Sequence, residues 1–318
     1  MNKDYRIIII LCALLLALPW LLPNRYLLNI ALLIGIYCLI VIGLNLLIGY
    51  AGQISLGHAA FYGLGAYTAA ILTTQYRWGT FLALLASVLV VTVIAWLIGK
   101  PTLKLKGHYL AMATLGFGII IQILFNEMVG LTGGPQGIAG IPKLQIFGFK
   151  FASDLELYYL VWGAVILVQI MVMNLIRSKV GRAFLAIHTN EPAAEALGID
   201  TASLKLLVFV LSGALAGLAG TFYAYSINYL SPNPFGFNFS ILLLTMVMVG
   251  GMGDLWGAIL GTVLLGIIPE LLRQFKDFEQ VIYGILLILI VIFMPKGVIS
   301  IIYLIKNKLK LGKKGETT

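Results

Sequence analysis

The sequence predicts an all-α integral membrane protein, a polytopic helical bundle of about ten transmembrane or partly re-entrant segments. Of its 318 residues, 61% are hydrophobic and 10% are charged, against about 25% charged in globular proteins. No Asp, Glu, Lys or Arg occurs in the 51 residues between Arg25 and Arg77 or in the 48 between Lys205 and Asp254. One helix needs about 20 apolar residues to cross the hydrocarbon layer, so each gap holds two crossings. The runs are apolar on every face, which favours helices over alternating barrel strands.

Ten spans are predicted along the chain. In order, they cover residues 7–22, 27–48, 57–74, 79–98, 108–129, 157–176, 206–227, 239–250, 255–271 and 280–294. The first span follows Lys3 and Arg6 and resembles a signal peptide, but no convincing cleavage site follows it, so we expect a retained helix. The Gly- and Ala-rich third span and the short pair at 239–250 and 255–271 are the weakest, and that pair is open to a re-entrant interpretation.

The basic residues predict that both termini lie in the cytoplasm. Ten crossings put fifteen Lys and Arg on the side of the termini and six on the other side, and basic residues collect on the cytoplasmic side. A basic inner face beside anionic lipid accounts for the net charge of +9, so the charge does not require a nucleic acid partner.

Two loops and a tail are large enough to carry a function. The external loop, residues 130–156, is rich in Gly and Pro and predicts an irregular backbone. The cytoplasmic loop, residues 177–204, predicts two short helices, the first over 182–187. The second has Asn190 as its N-cap and Gly198 as its left-handed stop. The basic tail at 296–318 is predicted to be cytoplasmic.

The chain shows no pattern of a catalytic or metal site. Its three histidines, His58, His108 and His188, have no His or Cys at ligand spacing, and the GxxxxGK[ST] motif of nucleotide binding is missing. Cys12 and Cys38 lie in apolar runs, where a thiol acts as a small hydrophobe. We therefore expect a chain that is not an enzyme and binds neither metal nor cofactor itself.

The spans also contain almost no ionisable residues, which normally mark ion or proton pathways in membranes. This argues against a carrier driven by protons or sodium and predicts that another component supplies the energy.

The polar residues of the first long uncharged gap are the candidates for a solute pathway. They are Asn45, Gln53, Ser55, His58 and Tyr62. If the segment is helical, the last three share one face, and the surrounding glycines permit a broken helix facing a solute. The alternative is that small residues only allow close helix packing, with His58 bonded to a neighbouring carbonyl. A weak echo between residues 48–54 and 249–255 is compatible with an internal repeat.

Five ordered blocks between residues 44 and 273 resemble the permease subunits of branched-chain amino acid ABC importers, of the LivM type. They read LNLLIGYAGQISLGHAAFYGLGAYTAAIL, KLKGHYLAMATLGFG, LTGGPQGIAGIP, GRAFLAIHTNEPAAEALGID and MVMVGGMGDLWGAILG followed by PELLR. The resemblance implies that residues 1–318 form a single permease domain of a bacterial-type inner (plasma) membrane.

The resemblance also implies that the 177–204 loop seats in a groove of an ATPase subunit through an EAA-x-x-x-G segment. The implied coupling residues are Gly181, Arg182, Glu191, Pro192, Ala193, Ala194, Glu195 and Gly198. Pro192 stands where the family has glutamate, so either Glu191 or Glu195 is expected to make the acidic contact, while small Ala193 and Ala194 allow close approach.

The expected function is therefore inward transport of leucine, isoleucine or valine. The implied partners are a second, homologous permease, two cytoplasmic ATPases that bind ATP and Mg, and an external solute-binding protein. Two alternatives stay open: a channel or facilitator for a small neutral solute such as urea, and an importer permease for urea or short amides.

Overall fold

Apolar helices form almost the whole of the computed structural model, which describes residues 3–21 and 24–272 and isolated positions between 282 and 300. The helices are α1 Lys3–Leu21, α2 Arg25–Asn45, α3 His58–Thr74, α4 Thr80–Thr102, α5 His108–Glu127, α6 Val129–Thr132, α7 Asp154–Arg177, α8 Lys179–Thr189, α9 Glu191–Ala196, α10 Thr201–Ser226, α11 Phe237–Gly250 and α12 Gly257–Leu272. The helical membrane class predicted from composition is confirmed.

Five of the described helices are long and apolar enough to cross a membrane by themselves. They cover Arg25–Tyr50, Thr80–Thr102, His108–Glu127, Asp154–Arg177 and Thr201–Ser226. The helices α3 and α11 are shorter, at 17 and 14 residues, and 16 residues of α12 are described, so the count of ten full or partial spans stays a prediction. The span predicted at 280–294 and the tail at 296–318 lie outside the described residues, apart from scattered positions.

The helices α3, α4 and α10 pack against one another, and α10 also contacts α2. Side chains in place of Gly65 or Gly220 would overlap the carbonyl groups of Gly217 and Tyr62, respectively. Glycine therefore allows the backbones of α3 and α10 to touch, which is the usual means of tight helix association in lipid. The hydroxyl groups of Ser87 and Thr221, 2.6 Å apart, join α4 to α10 at the same level.

Two breaks in the helices lie against each other. After α2 the chain makes one π-helical turn, Leu46–Tyr50, and then runs without regular structure until α3. A second break, residues 251–256, separates α11 from α12. Gly49 is so close to the backbone of Gly253 that a side chain could not fit there. The two breaks overlap residues 48–54 and 249–255, whose sequences resemble each other. The two segments are therefore neighbours in space, but the internal repeat itself stays a prediction.

The loop at 130–156 has the irregular backbone expected from its glycines. The strands are β1 Ile138–Ala139, β2 Gln145–Ile146, β3 Phe149–Lys150 and β4 Tyr229–Leu230. β2 and β3 form a small hairpin, whereas β1 pairs antiparallel with β4 from the connection between α10 and α11. Pairing of β1 with β4 places these two connections on the same side of the bundle.

Candidate functional site

The 177–204 loop folds into two short helices, as the sequence predicts, and the second has the expected caps. The side chain of Asn190 accepts a hydrogen bond from the N–H of Ala193 at 3.1 Å. At the other end Gly198 is left-handed, with φ of +80°. The N–H groups of Gly198 and Ile199 bond to the carbonyls of Glu195 and Ala194 at 2.9 and 3.1 Å, which is the Schellman pattern that ends a helix.

The first helix of the loop is longer than predicted. It covers Lys179–Thr189 instead of 182–187 because Ser178 caps it, accepting hydrogen bonds from the N–H groups of Val180 and Gly181. Phe184 is fully buried, as a short helix requires for stability, whereas Leu185 is 46% exposed. The buried ring anchors α8 to the bundle and leaves one apolar side chain on the outer face.

Gly181 and Arg182 make the turn from α7 into α8 tight. A side chain at Gly181 would overlap the carbonyl of Ile176, so only glycine lets α8 fold back against the end of α7. The guanidinium of Arg182 donates to the carbonyl of Arg177 at 3.4 Å and is otherwise exposed. The two helices therefore meet at a rigid corner.

Glu191 is bound by basic residues of this chain. Its carboxylate lies 2.5 Å from the ammonium of Lys205 and 3.5 Å from that of Lys106, and Lys205 is only 3% exposed. Burial raises the pKa of Glu191, but the hydrogen bond and charge of Lys205 and the charge of Lys106 outweigh it, so the pKa lies below its ordinary value. Glu191 is thus ionised at neutral pH and joins α9 to α10.

The outward surface of α9 consists of small and apolar groups beside one carboxylate. Pro192, Ala193 and Glu195 are exposed, and Leu197 is 81% exposed. Ala194 is 2% exposed and packs inside this chain, so of the two alanines only Ala193 lies on this surface. The coupling role of both alanines stays a prediction. The carboxylate of Glu195 accepts a hydrogen bond from the Thr201 hydroxyl at 2.7 Å and stays exposed.

The loop touches the first helix break. A side-chain carbon at Gly52 would lie 3.5 Å from the ring of His188, and Gly52 itself has φ of +68°. The end of α8 therefore lies directly against the segment that leads into α3. Movement of the loop has a short physical route to the membrane-embedded part of the chain.

His58 is held by two hydroxyl groups and not by the carbonyl suggested in the packing interpretation. Its Nδ1 lies 3.2 Å from the Ser55 hydroxyl and its Nε2 lies 2.6 Å from the Ser212 hydroxyl. His58 and Ser55 are each 1% exposed. Ser55 precedes the start of α3, so the helical face proposed for Ser55, His58 and Tyr62 is wrong for Ser55.

Asn45 and Gln53 also have partners in this chain. The amide of Asn45 donates to the carbonyl of Asp254 at 2.8 Å and accepts from the N–H of Gly253 at 2.9 Å. The amide of Gln53 donates to the carbonyl of Ala51 at 3.1 Å. Asn45 thus pins one helix break to the other, which is a structural role that does not by itself decide whether solute passes nearby.

Tyr62 differs from the other four candidates. It is 1% exposed, and its hydroxyl has no hydrogen-bond partner among the residues that the structure describes. Its ring contacts those of Tyr223, Phe235 and Phe239, with centroids 5.1–5.3 Å away. The role of all five residues in solute transport stays a prediction.

Sequence reasoning missed the partners that lie far away along the chain. Ser212 is 154 residues from His58, and Lys205, although next to the loop, was counted only as a basic residue of the inner side. One signal was available for Lys205, since a lysine inside the apolar run that begins α10 requires a nearby carboxylate.

The apolar helices of membrane-spanning length define a multi-pass integral membrane protein. On one side of the bundle, the capped helices α8 and α9, residues 179–196, form a surface that we call the α8–α9 platform. The family model described as "Branched-chain amino acid transport system / permease component" matches residues 26–293. This chain belongs to that family.

Three relatives illustrate the range of similarity. The high-affinity branched-chain amino acid transport system permease protein LivM of Escherichia coli K12 is 36% identical over 310 residues, covering 90% of this chain and 73% of the relative. The permease protein LivH of the same strain is 26% identical, covering 83% of this chain and 91% of the relative. A probable LivM of Methanocaldococcus jannaschii is 24% identical, covering 85% and 92%. No solved structure matches the chain.

Proposed function

We propose that this chain is the membrane-spanning permease subunit of an ATP-driven importer of leucine, isoleucine and valine in a bacterial-type inner membrane. The observation that carries the proposal is the match of the family model to residues 26–293, together with 36% identity to a LivM permease over 90% of the chain. Energy comes from separate ATPase subunits, and this chain provides one half of the solute pathway.

The α8–α9 platform is the proposed docking surface for an ATPase. Its outer face presents exposed Pro192, Ala193 and Leu197, which let another protein approach closely. Glu195 is the exposed carboxylate of α9, whereas Glu191 is engaged by Lys205. We therefore assign the acidic contact with the ATPase to Glu195 and a positioning role to Glu191.

Force from the ATPase reaches the pathway through packed groups in this proposal. The corner at Gly181 and Arg182 and the stop at Gly198 keep α8 and α9 rigid, so the platform moves as a unit. His188 against Gly52 transfers that movement to the break before α3. A rigid lever acting on a broken helix is a suitable two-state element for alternating access.

The similarity to both LivM and LivH permeases supports a heteromeric pair, with this chain in the LivM position. A solute-binding protein on the outer side supplies most of the affinity, so the pathway needs only weak selectivity. The outer surface available to it is the 130–156 loop joined to the α10–α11 connection through β1 and β4.

Purification of the chain from its native membrane in mild detergent, with mass spectrometry of what accompanies it, tests the assembly. We expect a second permease and ATPase subunits. Recovery of the chain alone, under conditions that keep a known ABC importer intact, would instead support a channel.

Uptake into proteoliposomes carrying the recovered complex then tests the solute. We expect ATP-dependent accumulation of leucine, isoleucine and valine when the binding protein is present. Accumulation of urea or short amides in their place would contradict the assignment of branched-chain amino acids.

A further inference from the structure

A pocket of about 350 Å³ opens between α2, α3, α10 and α11. Its walls include the rings of Tyr37, Tyr62, Tyr223 and Phe239, and Asn233 and Asn238 lie at its rim. Both asparagines are exposed and belong to the α10–α11 connection and the first turn of α11. The pocket therefore opens on the side of the 130–156 loop, opposite the α8–α9 platform.

Tyr62, which lines the pocket, has an unsatisfied polar group. The hydroxyl of Tyr62 is buried without a hydrogen-bond partner in the part of the chain that the structure describes. A buried polar group that lacks a partner lowers stability and requires a reason. A polar group that entered the pocket would supply the missing partner.

Tyr67 provides an internal comparison on the same helix. Its hydroxyl is also buried without a partner among the described residues, but its ring stacks on Phe125, with centroids 4.3 Å apart. It is not among the residues that line the pocket. The two tyrosines share burial and a hydroxyl without a partner among the described residues, and of the two only Tyr62 lines this pocket.

The residues that line the pocket favour one class of ligand. None of the described residues that line it carries a charge. Tyrosine faces attract an ammonium group through their π-electrons and pack against branched alkyl groups, while the rim amides can donate to a carboxylate. The volume lies at the lower end of the range for small-molecule sites.

We propose that this aromatic pocket is a solute site of the permease itself, which binds a small zwitterionic amino acid with a branched apolar side chain. The inference rests on the proposed function, because it names where the transported solute first contacts this chain. The ammonium and alkyl groups lie against the tyrosine and phenylalanine rings, and the Tyr62 hydroxyl donates to a solute oxygen. Because the described residues of the pocket wall carry no charge, the solute is bound weakly and can leave inward.

The first test compares Tyr62→Phe with Tyr67→Phe in the reconstituted complex with its binding protein. Both variants lose an unpaired buried hydroxyl, so both should unfold at a temperature equal to or above that of the wild type. We expect Tyr62→Phe to lower the number of leucine molecules moved per ATP by about threefold to tenfold, the effect of one lost hydrogen bond. Tyr67→Phe should match the wild type. Equal uptake per ATP by the two variants, with wild-type uptake normal, would overturn the pocket and leave the proposed function intact.

The second test needs neither ATP nor transport. Cys12 and Cys38 are replaced by alanine, and a cysteine is introduced as Asn238→Cys at the rim or as Tyr229→Cys on β4, which is 49% exposed and lies outside the pocket. The assembled complex is labelled by a membrane-impermeant maleimide with and without millimolar leucine. We expect leucine to slow labelling at least twofold at position 238 and not at position 229. Absence of protection at position 238, or equal protection at both, would overturn the inference even if the complex transports leucine.

Discussion

Glu191 and Lys205 form the contact that fixes α9 to the bundle. Lys205 is 3% exposed, so its charge has left bulk water and depends on the facing carboxylate. A buried charge that loses its partner destabilises a protein far more than an exposed pair ever stabilises it. The contact between Glu191 and Lys205 therefore has its largest effect on the position of the α8–α9 platform.

Glu191→Gln should lower the free energy of unfolding by roughly 2 kcal/mol, because an uncharged amide replaces the carboxylate beside a buried ammonium. It should also lower the ratio of uptake to ATP hydrolysis. Thermal unfolding of the detergent-purified chain, without its ATPases, and coupled uptake by the complex measure the two effects. Glu195→Gln is the matched control; its exposed carboxylate loses only charge, so its melting should change little. Equal destabilisation by both variants would contradict the role of the pair.

The Glu191 contact also has a defined pH dependence. Because the pKa of Glu191 is lowered in the folded protein, its contribution to stability is complete above the ordinary glutamate pKa of about 4.3. It is lost as pH falls through the lowered value. Neutral and mildly acidic conditions should leave the platform in place.

Gly198→Pro should abolish ATP-dependent uptake while the protein still inserts in the membrane. Proline fixes φ near −65°, whereas this position has φ of +80°, and it removes the N–H that bonds to Glu195. Gly198→Asn is the control, because asparagine tolerates the left-handed region and its Cβ would meet nothing within 4 Å. We expect it to keep at least about half of the uptake. Normal uptake by the proline variant would remove α9 from the coupling route.

The helix break after α2 and the break between α11 and α12 depend on close contact with each other. Gly49→Ala should separate them, because the added carbon would overlap Gly253 and approach the Asn45 amide that pins the second break. We expect a loss of about 2 kcal/mol in stability, as for other overpacked interiors, together with loss of transport. Thermal unfolding and uptake measure the effects.

Gly116→Ala is the control for that substitution, since a side chain there would meet nothing within 4 Å. It should be neutral or slightly stabilising, because alanine favours the helix. A Gly49→Ala variant as stable as Gly116→Ala would show that the breaks do not depend on close contact.

The elements that could be predicted are those with local signals. Continuous apolar runs identified the long helices, and Asn190 and Gly198 identified α9 because a cap acts within one turn. The residues that were misjudged depend on partners far away along the chain. Ser55 lies outside the helix and shares His58 with Ser212, and Ala194 is buried where α9 packs on the rest of the chain. No periodicity in a single segment contains that information.

For the molecule as a whole, the distribution of basic residues predicts a cytoplasmic α8–α9 platform. A cysteine at Leu197 on the platform and one at Phe147 in the 130–156 loop, 81% and 92% exposed, form a matched pair in a background without Cys12 and Cys38. In intact cells expressing this chain alone, an impermeant thiol reagent should label position 147 at once. It should label position 197 only after permeabilisation. The reverse pattern would invert the topology and remove the platform from the ATPases.

The short helix α11 has a consequence for the surrounding lipid. With 14 residues, it measures about 21 Å at 1.5 Å per residue, less than the hydrocarbon thickness of about 30 Å. Phe237 and Ile241 lie on the exposed face of α11 at 42% and 38% exposure. A bilayer that α11 crossed on its own would thin locally beside this face, and the cost of such a mismatch rises with acyl-chain length. We therefore expect uptake by the reconstituted complex to slow as the acyl chains of the surrounding bilayer lengthen.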